Sequence, residues 1–221
     1  MVTNMAILRE SDRTFLRQFF EERLVNEVEV HLFVSKKDCE YCEETKELLT
    51  EVASLNPKIR LQVHDFELEK DVANSMGVDK VPAIVIKSVN GTMVYYFGIP
   101  SGYEFRSFME DLVDASRGST DLSEEIRSQV KRINEPVEIK VFVTPTCPYC
   151  PRAVRTAHKF AFENPNIKAL MIESLEFSEL AQQYNVMAVP KIVINDKVEF
   201  EGAMPENFFI EQVFAALDQA Y

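Results

Sequence analysis

The sequence predicts an α/β protein built from two similar units, each a mixed four-stranded sheet with helices on both faces. Two observations support this prediction. The second half of the chain repeats the first with an offset of 108 residues. Within each half, short apolar or alternating stretches typical of strands are separated by stretches with helical spacing. Because the repeat covers most of a 221-residue chain, we expect two small domains rather than one large domain.

The repeat is clearest around the four cysteines, which stand as C-E-Y-C at 39–42 and C-P-Y-C at 147–150. Downstream positions also coincide. The aligned pairs are Val81-Pro82 with Val189-Pro190, and residues 84–86 with residues 192–194. We therefore predict a first unit over residues 1–118 and a second over residues 119–221, divided near a short polar segment.

Each unit is predicted to begin with an additional helix. In the first unit Ser11 is expected to cap that helix. The apolar side chains of Phe15, Leu16, Phe19 and Phe20 have helical spacing, so we expect this stripe to cover the core. In the second unit, the cap is expected from residues 120–124 and the helix over residues 126–133.

The remaining elements follow in the order β-α-β-α-β-β-α. Alternation of apolar and polar residues predicts strands over 28–34 and 59–65. Asn56-Pro57 ends the helix between them. Asn90-Gly91 is a hairpin signal joining the strand at 83–86 to the next one. The second unit repeats these strands at 137–143, 191–194 and 197–200, with a helix over 153–160 that Asn164-Pro165 ends.

Composition excludes several function classes. The chain has 24 Lys and Arg against 36 Asp and Glu, which gives a net charge of −12. A general nucleic-acid or anionic-membrane binder relies on basic patches, so neither partner is expected. The apolar runs are strand-sized and show no transmembrane or signal-peptide pattern, so we expect a cytoplasmic protein. Four cysteines are too few for a disulfide scaffold in a chain of this length.

A C-x-x-C motif at the start of a helix suits thiol–disulfide exchange. Residues three apart on a helix lie about 5–6 Å apart at Cβ, which is close to disulfide geometry. The first cysteine meets unpaired N–H groups and the helix dipole, which favour a thiolate. Lowering a thiol pKa from about 8.5 to about 7 corresponds to roughly 2 kcal/mol. We expect Cys42 and Cys150 to lie one turn inside and resolve the mixed disulfide, and neither pair to be buried and inert.

Both units place a Val-Pro pair at the start of a predicted strand. Proline has no N–H for the ladder, so its presence in both copies is unusual for an ordinary strand interior. We predict a cis peptide bond before Pro82 and before Pro190. That geometry would leave the backbone of Val81 and Val189 free to pair with an extended substrate segment.

This order of elements resembles the thioredoxin superfamily, and C-P-Y-C resembles the glutaredoxin signature. Two such units in one chain resemble the protein disulfide oxidoreductases of thermophilic archaea and bacteria. The resemblance implies a cytosolic dithiol–disulfide oxidoreductase that reduces, forms or isomerises protein disulfides. It also implies protein clients, recharging by a thioredoxin-reductase-like flavoenzyme, and no cofactor beyond the cysteine pairs. By position, it makes Cys39 and Cys147 the nucleophiles, Cys42 and Cys150 the resolving thiols, and Pro82 and Pro190 the cis prolines.

Two positions depart from the family pattern. Thioredoxins carry a buried acid in the strand before the motif, where these units have Phe33 and Val141 or a neighbouring apolar residue. The proton acceptor for the resolving cysteine is therefore not identified. Glutaredoxins usually have Thr before Val-Pro, whereas these units have Lys80 and Ala188, which weakens the case for glutathione as a partner.

Other functions stay open at this point. The flavin subunit of alkyl hydroperoxide reductase also has a tandem N-terminal domain, but that domain typically retains one C-x-x-C. A chaperone-like module or a metal or iron–sulfur carrier belongs to a different class. The two pairs are separated by 104 residues, whereas zinc ribbons usually space them by about 15–20. We therefore expect no metal site.

The residues around the motifs suggest how the thiols are tuned. The tuning candidates are Tyr41, Tyr149, Glu40 and Pro148, although plain packing explains the tyrosines equally well. Asp38 and Glu40 place negative charge beside Cys39, opposed by Lys36 and Lys37, and no charged residue flanks Cys147 as closely. We therefore predict that the second site is the stronger oxidant.

Two further sets of titratable residues are interpreted as structural. Asp65 and Glu173 coincide in the repeat and could relay protons, but solvated strand ends are the better interpretation. The three histidines have no counterparts in the other half and lie on predicted polar faces. We expect His31, His64 and His158 to be structural or solvent-facing.

Overall fold

The computed structural model describes residues 7–218. The first unit contains α1 (Glu10–Arg23), β1 (Val28–Val34), α2 (Cys42–Ser54), β2 (Ile59–Asp65), α3 (Lys70–Ser75), β3 (Ala83–Lys87), β4 (Met93–Phe97) and α4 (Glu104–Arg117). The second contains α5 (Glu124–Lys131), β5 (Val137–Val143), α6 (Cys150–Glu163), β6 (Ile167–Glu173), α7 (Ser178–Gln183), β7 (Lys191–Ile194), β8 (Val198–Glu201) and α8 (Glu206–Asp218). The predicted order of elements is confirmed in both units.

The two predicted four-stranded sheets join into one eight-stranded sheet, in the order β2-β1-β3-β4-β6-β5-β7-β8. In each unit the first strand pairs in parallel with the second and antiparallel with the third. The units meet where β4 and β6 pair in parallel, from Val94 opposite Ala169 to Phe97 opposite Ile172. Gly118 is the C-cap of α4, with a φ of 68°. It lies at the predicted boundary between the units, and the position of that boundary stays a prediction.

Helices cover both faces of this sheet, as predicted for an α/β protein. Two clusters of buried side chains lie against it. The larger cluster includes residues of α1, α2, α4, α5, α6 and α8, and the smaller includes residues of α3 and α7. Neighbouring strand residues such as Leu32 and Phe33 belong to different clusters because successive side chains point to opposite faces. Among residues 7–218, no helix is both long and apolar enough to cross a membrane.

The helix caps were predicted correctly in one unit only. α1 begins at Glu10 with Arg9 as its N-cap and no side-chain cap, so the predicted cap by Ser11 is wrong. Ser11 lies inside the first turn, so the helix begins about one turn before the apolar stripe. In the second unit, Ser123 accepts a hydrogen bond from the Ile126 N–H at 3.3 Å. This cap falls inside the predicted region.

The apolar stripe of α1 covers the core only in part. Leu16 and Phe20 are fully buried, and Phe19 packs against the core from a half-buried position. Phe15 lies at the outer side of the helix with 59% of its surface exposed. The stripe is therefore wider than the face that the core covers.

The three histidines are buried, so their predicted placement on polar faces is wrong. His31 and His64 lie on adjacent strands and share a hydrogen bond of 3.0 Å between ring nitrogens. His158 Nδ1 bonds to a carboxylate oxygen of Asp111 at 2.6 Å. Burial lowers the pKa of His31 and of His158. Each ring has a polar partner, which is what allows a histidine to be buried in a strand or helix interface.

A buried polar network joins the two units between α4 and α6. The carboxylate of Asp111 bonds to the Tyr96 hydroxyl, to Arg155 and to His158. Arg155 also contacts Asp114. Because Arg155 and His158 belong to the second unit and the others to the first, the network links the units through buried polar side chains.

Candidate active site

Each C-x-x-C motif forms a disulfide at the start of a helix, as predicted. Cys42 is the first residue of α2 and Cys150 is the first residue of α6. Disulfides join Cys39 to Cys42 and Cys147 to Cys150, with a Cα–Cα distance of 5.5 Å in both. Both pairs therefore have the geometry that reversible oxidation at a helix start requires.

The second cysteine of each motif is the inner one. Cys42 and Cys150 are fully buried, whereas Cys39 is half-buried. Cys147 keeps only 7% of its surface exposed, so the expectation that neither pair is buried is wrong for the second site. Val189 of the same unit lies beside the Cys147 sulfur, and the first unit packs on the loop ahead of Cys147 at Pro145.

Gly102 allows that close approach. The N–H of Tyr103 donates to the Pro145 carbonyl at 3.1 Å. A Cβ on Gly102 would lie 2.2 Å from the same carbonyl oxygen, and its φ of +59° also disfavours other residues. The first unit thus covers one side of the second motif.

The two Val-Pro pairs have cis peptide bonds, as predicted. The Pro82 carbonyl accepts the Gly98 N–H at 3.0 Å, which ties this loop to the end of β4. In the second unit the Val189 carbonyl lies 3.7 Å from Cys147 Sγ. The structure therefore brings the predicted Val-Pro residues next to the cysteines in the second unit. In the first unit, Val81 and Pro82 line the same cavity as Cys39.

The sulfur atoms receive backbone hydrogen bonds that differ between the sites. In the first site, the Ser35 N–H donates to Cys42 Sγ at 3.3 Å. In the second site, the Cys150 N–H donates to Cys147 Sγ at 3.1 Å. A donor aimed at the first cysteine stabilises its thiolate after reduction. The second site therefore has a donor on the first cysteine, whereas the donor of the first site serves the second cysteine.

The tuning candidates occupy different positions around the motifs. Tyr41 and Tyr149 are the N-cap residues of α2 and α6. Tyr149 is 70% exposed, whereas Tyr41 packs against the core. The charge of Glu40 raises the pKa of Tyr41. Pro148 lines a separate cavity between the two units.

The first site opens into a cavity that Cys39 lines, whereas the second site borders a groove at Val189. The first is a cavity of about 450 Å³ lined by Asp38–Tyr41, the Val81-Pro82 bond, Glu176 and Phe177. The second is a groove of about 510 Å³ that runs beside Val189 and Met187 and has no charged side chain among its described lining residues. The cavity of the first site is therefore acidic. The second site borders a neutral groove at Val189 and, at Pro148, a cavity whose lining includes both basic and acidic side chains.

One loop of the second unit contributes to both cavities. Ser174 and Leu175 line the groove of the second site, whereas Glu176 and Phe177 line the cavity of the first. The parallel pairing of β4 and β6 explains this, because their carboxyl ends lie at the same edge of the sheet. The Ile99 N–H, just after β4, donates to Glu176 Oε1 at 2.7 Å.

The carboxylates at the strand ends have a structural role that the sequence did not predict. Glu173 is buried and accepts hydrogen bonds from the N–H groups of Leu175 and Glu176. Asp65, half-buried, accepts from the equivalent N–H groups after β2. The expectation of a solvated strand end is therefore wrong for Glu173, whose pKa is raised by burial. Both carboxylates shape the loop that follows their strand.

Besides Asp111 and Asp114 of the buried network, sequence reasoning missed the half-buried Glu176 and the buried Glu104. Burial raises the pKa of Glu176 to about 7. Glu104, at the start of α4, is 2% exposed, and burial raises its pKa to about 7 as well. Neither side chain belongs to a motif. The repeat offered one signal, because Glu176 aligns with Leu68, and a charged residue there marks a loop whose surroundings differ between the units.

The arrangement supports two-electron exchange at each cysteine pair. Within residues 7–218, the structure shows no cluster of three or more His, Cys, Asp or Glu side chains that could hold a metal ion. The four cysteines are all used in the two disulfides. Reduction would yield a half-buried thiol and an inner thiol at the first site, and a thiol with 7% of its surface exposed and an inner thiol at the second. An outer and an inner thiol are the two roles that exchange needs.

The chain is similar to known proteins across most of its length. Residues 27–110 and 137–215 each match the thioredoxin domain family. A protein disulfide oxidoreductase from Aeropyrum pernix K1 has 34% sequence identity and a TM-score of 0.89, with 96% of this chain and 94% of that chain covered. The alkylhydroperoxide reductase protein AhpF from Enterococcus faecalis has 28% identity and a TM-score of 0.85, with coverage of 93% and 99%.

The curated relatives are longer proteins. The corresponding alkyl hydroperoxide reductase protein from Staphylococcus aureus (strain N315) is 27% identical over 190 residues, which are 86% of this chain and 34% of that protein. The chain thus spans about a third of the length of the curated relatives that it matches. The match in both halves and the similarity over nearly the whole chain agree with the two-unit fold. The chain belongs to the thioredoxin-domain family and, within it, to the protein disulfide oxidoreductases.

Proposed function

We propose that this protein is a dithiol–disulfide oxidoreductase whose two cysteine pairs each exchange electrons with disulfides and thiols of client proteins. The observation that carries this proposal is the pairing of a helix-start disulfide with a cis Val-Pro bond in both units. One disulfide alone could be a structural cross-link. Two copies with the same surroundings, in a family of redox domains, support a catalytic role.

The proposed reaction is written for the second site in its reduced form. The Cys147 thiolate attacks one sulfur of a client disulfide, forms a mixed disulfide and releases one client thiolate, which takes up a proton. The Cys150 thiol loses its proton and attacks Cys147 Sγ, which restores the Cys147–Cys150 disulfide and releases the second client thiolate. Two electrons pass from the protein to the client. The reverse sequence oxidises a client dithiol, and an incomplete cycle reshuffles disulfides.

Backbone groups beside the cysteines are proposed to hold the client. The Val189 carbonyl lies 3.7 Å from Cys147 Sγ, so an extended client segment that pairs with this backbone would bring its own sulfur to Cys147. Val81 and Pro82 have the same place in the first site. Pro82 and Pro190 would then orient the binding backbone rather than take part in the exchange.

The two sites are proposed to differ in redox potential, with the second as the stronger oxidant. The Cys150 N–H donates to Cys147 Sγ, which favours a thiolate there. The first site instead faces Asp38, Glu40 and Glu176, which disfavour a thiolate on Cys39. Separate potentials for the Cys39/Cys42→Ser and Cys147/Cys150→Ser variants test this order. A more reducing potential at the second site would contradict it.

We propose a flavoenzyme of the thioredoxin-reductase type as the electron donor, in the cytoplasm and without a cofactor bound to this chain. Similarity to the alkyl hydroperoxide reductase proteins supports such a partner. The same similarity favours a second candidate function, electron transfer to a peroxide-reducing protein. Two intact cysteine pairs, each with its own Val-Pro, favour general exchange with client proteins instead.

The test combines two assays with three variants. Reduction of insulin by dithiothreitol and refolding of a scrambled disulfide protein are measured for the wild type, for each double Cys→Ser variant and for the variant that lacks all four cysteines. We expect each double variant to keep part of the activity and the quadruple variant to show only the uncatalysed rate. Activity of the quadruple variant, or no activity of the wild type in either assay, would overturn the proposal. Transfer of electrons only to a peroxidase would favour the second candidate.

A further inference from the structure

The cavity of the first site contains a carboxyl group that belongs to the second unit. Glu176 lines this cavity together with Cys39 and Pro82. The loop that carries it is held against the first unit by the hydrogen bond from the Ile99 N–H to Glu176 Oε1. Gly98 packs against this loop, since a Cβ at Gly98 would lie 2.9 Å from Glu176 Oε1. The position of Glu176 is therefore fixed by contacts between the units.

Glu176 has acidic neighbours, and one of its carboxylate oxygens is buried. Its Oε2 is buried and has no hydrogen-bond partner among residues 7–218. The charged groups that affect the pKa of Glu176 are all carboxylates. They are Glu173, at the end of the preceding strand, and Glu40 and Glu44 of the first unit. The charge of Glu176 in turn contributes to the raised pKa of Tyr41. Burial and these like charges together raise the pKa of Glu176 to about 7.

The second site has no equivalent carboxyl. The repeat places Leu68 of the first unit where Glu176 stands in the second. Leu68 is 84% exposed, because β2 is the outer strand of the sheet that residues 7–218 form. The described residues that line the groove of the second site include no charged side chain. The cavity at Pro148, on the other side of the second motif, is lined by basic as well as acidic side chains. A cavity whose charged lining residues are all carboxylates is therefore found at the first site.

We propose that Glu176 is a positioning residue of the first site, where its carboxylate opposes the thiolate of Cys39 and makes the Cys39–Cys42 pair more reducing than it would be in its unit alone. This inference rests on the proposed exchange function and names a residue that makes the two sites differ in redox equilibrium. The redox behaviour of the first unit then depends on its attachment to the second.

The sign of the effect follows from electrostatics. A carboxylate beside a thiolate raises the thiol pKa and destabilises the reduced form of the pair, so reduction becomes less favourable. Because Glu176 ionises around neutral pH, its destabilisation of the Cys39 thiolate is absent in acid and complete in base. The difference between the two sites should therefore widen as pH rises from about 5.5 to 8.

The experiment uses the full chain with Cys147 and Cys150 changed to Ser, so that only the first pair reacts. In this background, Glu176→Gln retains an oxygen for the Ile99 N–H but removes the charge. The pH dependence of Cys39 alkylation and the redox equilibrium with dithiothreitol are measured from pH 5.5 to 8.5. We expect the thiol pKa of Cys39 to fall by about half a unit to one unit. At pH 8 the disulfide should become easier to reduce by about 3- to 10-fold, and at pH 5.5 by less than about 2-fold.

Three controls separate this role from a general structural effect. Glu179→Gln removes the same charge three residues away, on an exposed position that lines neither cavity, and should leave the equilibrium unchanged. Glu176→Asp keeps an acid and should retain a pH-dependent equilibrium. In the Cys39/Cys42→Ser background, Glu176→Gln should leave the second site unaltered, which also shows that the second unit is folded.

The inference is overturned if Glu176→Gln shifts the equilibrium equally at pH 5.5 and 8, or not at all, while the first pair still exchanges with dithiothreitol. It is also overturned if Glu179→Gln has the same effect. Failure of the proposed function would look different, because insulin reduction would then be absent in the wild type as well.

Discussion

The strands β2 and β6 occupy the same place in the repeat but opposite places in the molecule. β2 is the outer strand of the sheet, and only Ile59 and His64 of its seven residues are buried. β6 lies between β4 and β5 and is buried along nearly its whole length. Val63 is 41% exposed, whereas its counterpart Met171 is fully buried. Duplication thus preserved the unit, and the joining of the sheets decided the environment of each copy.

The helices after the cysteines show the same difference. α2 packs on β1 and β2 of its own unit. α6 packs against α4 of the first unit and carries Arg155 and His158 in the buried network. The repeat positions of these residues in α2 are Glu47 and Thr50, and Thr50 is exposed. The same helix is therefore a surface element in one copy and a central element in the other.

Loss of Arg155 should be the largest of the stability effects. Arg155→Met leaves the carboxylates of Asp111 and Asp114 without their cation in the interior, and breaking a buried pair in this way costs about 3–5 kcal/mol. Glu47→Met at the equivalent position of α2 should change the free energy of unfolding by less than about 0.5 kcal/mol. Urea denaturation measures both. Equal effects at the two positions would contradict the central placement of α6.

The next largest effect on stability is expected from the comparison of β6 with β2. Met171→Ala removes a fully buried side chain from β6 and should cost about 2–4 kcal/mol of unfolding free energy. Val63→Ala on β2 should cost less than about 1 kcal/mol, because that side chain is already in contact with water. Thermal and urea unfolding of the two variants can be compared directly. A larger loss for Val63→Ala would mean that β2 is not an edge strand.

Much of the fold could be predicted because the local signals agree. The C-x-x-C pairs, the Val-Pro pairs and the alternation of β1 and β5 all indicate the same unit twice. Even the difference between β2 and β6 is present in the sequence, since β2 alternates Arg60, Gln62 and His64 with apolar residues and β6 has an unbroken run from Ala169 to Ile172. A continuous apolar run is typical of a strand buried on both faces.

The contribution of one unit to the other's site could not be predicted. Glu176 follows a strand and belongs to no motif, so nothing local distinguishes it from a solvated loop residue. Its role depends on the pairing of β4 with β6, which is a long-range contact. Buried histidines were missed for a related reason, because the partner of His158 is Asp111, on a helix of the other unit. Polar residues reveal their environment only through their partners.

The first residues of α4 and α8 allow a pH test of the comparison. Burial raises the pKa of Glu104 to about 7, and neither of its oxygens has a partner among residues 7–218. The folded state thus holds a proton that the unfolded state has released, so stability is fully present below about pH 4.5 and falls as pH rises to 7. Glu104→Gln should therefore increase the free energy of unfolding by about 3 kcal/mol at pH 8 and leave it unchanged at pH 4.

The control for Glu104 is the glutamate at the equivalent start of α8. Glu206 is one-third exposed and forms an ion pair with Lys159 at 3.2 Å. Glu206→Gln should change stability by less than about 0.5 kcal/mol at either pH. A pH-independent gain from Glu104→Gln would show that the variant acts through packing rather than through ionisation.

The smallest expected effect concerns the surface beside each site. Met187 is 90% exposed and borders the groove of the second site, and the repeat aligns it with Asp79 of the first unit. An exposed apolar side chain next to a proposed binding backbone favours unfolded clients, whose apolar residues are accessible. With the first pair changed to Ser, Met187→Asn should raise the KM for reduced, unfolded protein about 3-fold. kcat and the redox equilibrium should be unchanged, because the substitution removes apolar contact with the client and adds no charge near the sulfurs. Asp79→Met, with the second pair changed to Ser, should lower the KM of the first site in turn. A change in kcat instead of KM would show that these positions act on the exchange step, and the two sites would then differ in chemistry alone rather than also in the clients they hold.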